Sequence, residues 1–205
     1  MNPSSITNTL PNLLLFTLLF ILFTAVGTIS HEYGHIFFAT ILGYQWELHF
    51  ASMNIIGEEK SELHALLISG GGSIQTMLTG TFGYFMLRKS TYRKVSFSTL
   101  DYLWLFLALF WLRQVFNLLN RFSMGVFSGD GIYFGGDETR ISSYLELHQG
   151  FFSILYGLIG LTICFHTFFF LVKKKDRTLL IASGIIGSLL GFWTWMIQLG
   201  PLLLP

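Results

Sequence analysis

The stretch NLLLFTLLFILFTAVGTISHEYGHIFFATIL, residues 12 to 42, decides how the rest of the chain is read. A hydrocarbon core about 30 Å thick takes about 20 apolar residues of helix to cross. This run is longer, so a first membrane span is expected with tilt, a break near Gly27, or extension beyond the bilayer. Three ionisable residues, His31, Glu32 and His35, lie inside it, and Ile36-Phe37-Phe38 resumes the apolar pattern directly afterwards. A charged residue at mid-bilayer costs roughly 2.5 to 3.5 kcal/mol on insertion scales, so such a cluster needs compensation. A bound metal ion supplies it.

His31-Glu32-Tyr33-Gly34-His35 has the form HExxH. On a helix, residues four apart share a face, so both imidazoles can converge on one Zn²⁺ with Glu32 beside it as general base. Hydrolytic zinc takes three protein ligands and keeps one position open, so an acid must come from elsewhere. Asp130 in Ser128-Gly129-Asp130-Gly131 and Asp137 in Gly135-Gly136-Asp137-Glu138 are the candidates, with Glu138 beside them. Asp130 is preferred because it is nearer the third apolar span. Asp137 reads as lying further into a flexible loop, where it loses more entropy on ordering.

Outward from this motif the composition agrees: 52% hydrophobic, 11% charged and a mean hydropathy of +0.60 place the chain in a bilayer. The expected fold is an all-α polytopic membrane protein, one domain, with about five transmembrane helices near residues 12–42, 64–87, 102–119, 150–172 and 179–199. The catalytic core spans about residues 12–132, and the last two helices, about 150–200, support it. A short β-hairpin is expected after the first helix, where Gln45 to Met53 alternates and carries aromatic residues. The net charge of +1 excludes the dense basic surface that nucleic acid requires. A single cysteine, Cys164, leaves no disulfide and no CxxC pair. The amino terminus lacks the positive charge of a signal peptide, its first basic residue being Lys60, and is expected to be retained. Basic residues after the second and fourth spans predict that those loops face the cytoplasm.

HExxH within the first apolar span, the glycine-rich Ser69-Gly70-Gly71-Gly72-Ser73 opening the second, and Asp130-Gly131 beyond the third together resemble the site-2 protease family of intramembrane zinc metalloproteases. The resemblance covers roughly residues 28 to 132. In that family a Leu-Asp-Gly motif supplies the third ligand; Gly129 stands here in place of the leucine, and the family's prolines before the motif are absent. The resemblance implies hydrolysis of peptide bonds in membrane-spanning substrates, Glu32 activating a zinc-bound water held by His31, His35 and Asp130. Gln75 and Asn117 are then candidates to orient the substrate backbone or its oxyanion. Arg113 reads as pairing with a carboxylate or snorkelling. Two other readings remain open: a prenyl-protein protease type, completed by Glu138 or Glu146, and a divalent-metal transporter, which calls for more ligand-rich helices than spans four and five offer.

Overall fold

The computed structural model describes residues 9–58, 60–92, 97–128 and 134–205. Helix α1, Thr9–Ile41, carries the opening stretch as 33 uninterrupted residues, about 50 Å at 1.5 Å per residue. No break forms at Gly27. Hydroxyls that would otherwise face an apolar surround fold back on the helix's own carbonyls: Thr24 Oγ1 donates to Phe20 O, Thr28 Oγ1 to Thr24 O and Ser30 Oγ to Gly27 O.

A two-stranded antiparallel hairpin follows, β1 Gln45–Leu48 and β2 Met53–Ile56, in the register Gln45↔Ile56 to Leu48↔Met53. Its base is locked to the helices. Tyr44, buried with Ala39 and Ile68, shares a hydrogen bond with His64 Nδ1 at 2.9 Å, and Trp46 Nε1 donates to Thr40 Oγ1. Its tip is tied to the carboxyl-terminal segment, with Trp195 Nε1 donating to Phe50 O and Phe50 N to Leu204 O.

Helix α2, Glu62–Thr91, is capped by Ser61, whose side chain accepts from His64 N. It starts earlier and ends later than the expected second span. Helix α3, Thr99–Ala108, opens with a capping box between Ser98 and Asp101. A 3-10 turn, Leu109–Trp111, then joins α3 to α4, Leu112–Ser128, without leaving the apolar run. Within the segment expected to be a polar loop lies a short helix, α5, Asp137–Tyr144. Helices α6, Phe151–His166, and α7, Lys174–Phe192, each pass into a π-helical segment, and α8, Gly200–Leu203, closes the chain.

Among the described residues four helices are long and apolar enough to cross a bilayer: Leu10–Ile41, Thr99–Met124, Phe151–Leu171 and Lys174–Leu203. The second expected span exists as α2, but that helix is too polar to count with the four. It packs between α1 and α3 and gives its buried face to glycine, serine and threonine. Large apolar side chains such as Leu18, Phe37, Phe85, Phe165 and Leu189 are exposed, as a lipid-facing surface requires. The main core joins Phe16 and Phe20 of α1, Leu87 of α2, Leu105 and Phe106 of α3 and Leu180 of α7.

Candidate metal centre

His31, Glu32 and His35 are all buried in the second half of α1, and their ligand atoms lie within 4.8 Å of one another. Helix α2 crosses α1 at this point. A Cβ on Gly34 would strike the Gly71 carbonyl, and one on Gly71 would strike that of Gly34, so the two backbones touch with no side chain between them. Gly72 then passes directly under the imidazoles: a Cβ there would meet His31 Nε2 at 2.6 Å and the His35 ring closer still. The glycine-rich stretch is thus the floor of the histidine pair.

Each ring is held from behind. His35 Nδ1 lies 2.7 Å from the Ile68 carbonyl. A carbonyl only accepts, so Nδ1 carries the proton and Nε2 presents its lone pair, even though the Gly72 amide is also 3.3 Å from Nδ1. His31 Nδ1 lies 3.0 Å from Thr76 Oγ1, whose own hydroxyl can donate onward to Gln75 Oε1 at 3.5 Å. That direction again places the His31 proton on Nδ1. The same second contact that orients metal-binding histidines elsewhere is therefore present for both rings.

Both Nε2 atoms face one oxygen. Asp137 Oδ2 is 3.3 Å from His31 Nε2 and 3.3 Å from His35 Nε2. Lone pairs from two imidazoles and an ionised carboxylate converge, and that donor set suits a cation. The spacing fits too, since ligands about 2.0 to 2.1 Å from a tetrahedral zinc stand about 3.3 to 3.4 Å apart. Glu32 Oε2 is 4.0 Å from His35 Nε2, beside this triangle rather than in it, and its carboxylate faces the backbone of Met53 at the start of β2.

The position of Asp137 is built by its neighbours. Gly136 has φ 78°, and a Cβ there would lie 2.7 Å from Arg121 Nη2, so only glycine makes this turn cheaply. The next residue, Glu138, is almost wholly buried; it accepts from Ser73 Oγ at 3.0 Å and pairs with Arg121 at 3.6 Å. Arg140 Nη1 donates to Ser69 Oγ at 3.2 Å. Two contacts from α5 to the serines that flank the glycine floor thus fix the helix, and the loop entropy expected to disfavour Asp137 is already removed by folding. Asp130 lies outside the described residues.

The centre opens into a polar cavity of about 670 Å³, walled by β2 on one side, Ser69 of α2 and Arg140 of α5 on another, and by Arg113 of α4. Neither Gln75 nor Asn117 lines it. Gln75 Nε2 donates to Thr79 Oγ1 on its own helix, and Asn117 borders a separate small cavity with Asn120 and Arg121. Thr76 and Ile68, which hold the two rings, are residues that sequence reasoning did not single out, and Arg113, read there as pairing or snorkelling, borders the cavity. The Ser-Gly-rich run was the available signal for the first two, because it marks where α2 comes closest to α1. No protein-family model matches the chain, and no significant similarity to a curated protein or to a solved structure is found.

Proposed function

We propose that the chain is an intramembrane zinc metalloprotease, integral to the membrane and crossing it several times, that hydrolyses peptide bonds of membrane-spanning substrates. One observation carries the reading: two imidazole nitrogens each lie 3.3 Å from one carboxylate oxygen, with a buried glutamate alongside, in a polar cavity bordered by the hairpin and by helices α1, α2, α4 and α5. His31, His35 and Asp137 are the residues that would hold the metal, and Asp137 replaces Asp130 as the proposed third ligand. When bound, zinc supplies a Lewis acid that polarises the scissile carbonyl and makes water acidic enough to lose a proton near neutral pH.

The chain's own residues supply the rest. Glu32 takes the proton of the attacking water and returns it to the leaving amine; its burial beside the ligands keeps it within reach of both. The backbone of Met53 is the hairpin group that this carboxylate faces. Strand β2 pairs on one side with β1, while Met53, Asn54 and Ile55 border the cavity on the other. An unwound substrate segment can add to that edge as a third strand, exchanging the hydrogen bonds of its transmembrane helix for those of the sheet.

The test is cleavage of a membrane-spanning reporter in zinc-loaded vesicles, read together with metal content. Glu32→Gln should abolish cleavage with zinc near wild type, and His31→Ala should lose both. Asp137→Ala should strip the metal, whereas Asp130→Ala should leave it in place. Cleavage retained by Glu32→Gln would sink the protease reading, and zinc lost only on changing Asp130 would reverse the ligand assignment.

A further inference from the structure

Peptide hydrolysis at this site builds negative charge on the carbonyl oxygen, and a protein group facing that oxygen would add to what the metal supplies. Neither polar residue expected for it lines the cavity: Gln75 is engaged with Thr79 and Thr76, and Asn117 faces elsewhere. Arg113 does line it. It sits in the first turn of α4, just past the 3-10 turn whose Trp111 is clamped by Thr81 Oγ1 at 3.2 Å and lies over Gly80, so its backbone has a fixed place. Its Nε is buried and has no hydrogen-bond partner among the described residues. Its strongest electrostatic partner is Glu32, followed by Asp137 and Glu138. A buried guanidinium donor without an acceptor costs free energy unless something arrives to accept it.

Resting on the protease reading above, the geometry points to Arg113 as the residue that stabilises the tetrahedral oxyanion of the substrate. As the water oxygen bonds to the carbonyl carbon, the π pair of the C=O bond moves onto its oxygen and the water proton passes to Glu32. The C–N bond then breaks with its pair going to nitrogen, which takes the proton from Glu32, leaving an amine and a carboxylic acid that ionises. Between these events one full negative charge rests on the former carbonyl oxygen. Arg113 borders that cavity and brings to it a positive charge, with a buried Nε–H that has no acceptor among the described residues; preorganised donors and charges of this kind stabilise developing negative charge. The neighbouring carboxylates keep the guanidinium there while the site is empty of substrate.

The experiment compares wild type, Arg113→Gln and Arg113→Lys, full length and zinc-loaded in lipid vesicles. Four quantities are measured: zinc affinity, thermal unfolding, kcat and KM on a membrane-spanning reporter, and affinity for a peptidyl phosphinate, which mimics the tetrahedral anion. Arg113→Gln should hold zinc at least as tightly as wild type, because a nearby cation has been removed. Its kcat should fall about 10²- to 10³-fold with KM within about threefold, and phosphinate affinity should fall in parallel with kcat. Arg113→Lys, which keeps the charge but not the fork, should fall between the two. Unchanged kcat, a loss confined to KM, or zinc lost from both folded variants would overturn the assignment, the last because it makes Arg113 a counter-ion of the centre. If Arg113→Gln does not fold, Arg113→Lys decides alone, and wild-type kcat in that variant overturns the assignment. A wild-type protein that binds zinc and phosphinate yet cleaves nothing fails the protease reading itself, and with it this one.

Discussion

The two halves of α1 meet their partners through glycine, but in different ways. Toward its amino-terminal end, α7 lays Gly184, Gly187 and Gly191 against Phe20, Thr17 and Thr24, so small residues on one helix receive side chains and backbone of the other. Further along, Gly34 and Gly71 bring α1 and α2 together backbone to backbone, and Gly72 receives two imidazoles. The first contact is ordinary membrane-helix packing, which gains dispersion energy from close approach. The second also fixes polar groups: beside it stand Ile68 and Thr76, which hold the rings, and Ser69 and Ser73, which hold α5. Close approach serves adhesion at one end of the helix and the placing of the histidine pair at the other.

The sharpest way to break this comparison is Gly72→Ala. The added methyl overlaps both Nε2 positions, so the folded variant should lose bound zinc to background and all cleavage with it. Metal analysis alongside circular dichroism checks this, and a folded variant that keeps stoichiometric zinc contradicts the glycine floor. Next in size, Thr76→Val keeps the shape but removes the partner of His31 Nδ1, and zinc affinity should weaken about 10- to 100-fold in a competition titration with a chelator. Gly187→Ala acts on the other half: its methyl meets Phe20 Cβ and the Thr17 carbonyl, so stability should fall by about 1 to 3 kcal/mol while zinc affinity stays at the wild-type value. Zinc lost from the folded variant would show that the two halves are coupled. The smallest effect belongs to Gly27→Ala, between the two contacts, where nothing lies within 4 Å. A gain of about 0.4 to 1 kcal/mol in thermal stability, with unchanged turnover, is expected.

What could be read from the sequence follows how local each signal is. The histidines and Glu32 lie within five residues on one helix, and the hairpin depends on turns and alternation within a dozen residues, so both were legible. The glycine run announced a close approach without saying what it approached, because the partner, Gly34, belongs to another helix. The place of Asp137 beside the histidines was not legible. Asp137 meets His31 across 106 residues, and α5 is polar enough to read as loop until Glu138 and Arg140 find Ser73 and Ser69. The argument from loop entropy was sound for a loop; the segment is a pinned helix. Arg113 was read as pairing with a carboxylate, and Glu32, Asp137 and Glu138 do act on its charge; the cavity it borders was not legible, since other elements build it.

The backbone contact at Gly34 and Gly71 bears on how such a centre could be moved between proteins. Grafting His31 to His35 onto another helix would carry over the ligands but not the floor beneath them or the carbonyl that sets the His35 tautomer. The transferable module is a pair of crossed helices, His31–His35 on one and Ile68–Thr76 on the other. A search or a design that treats the pentapeptide as the unit will collect many helices able to present two histidines, and few able to hold them still.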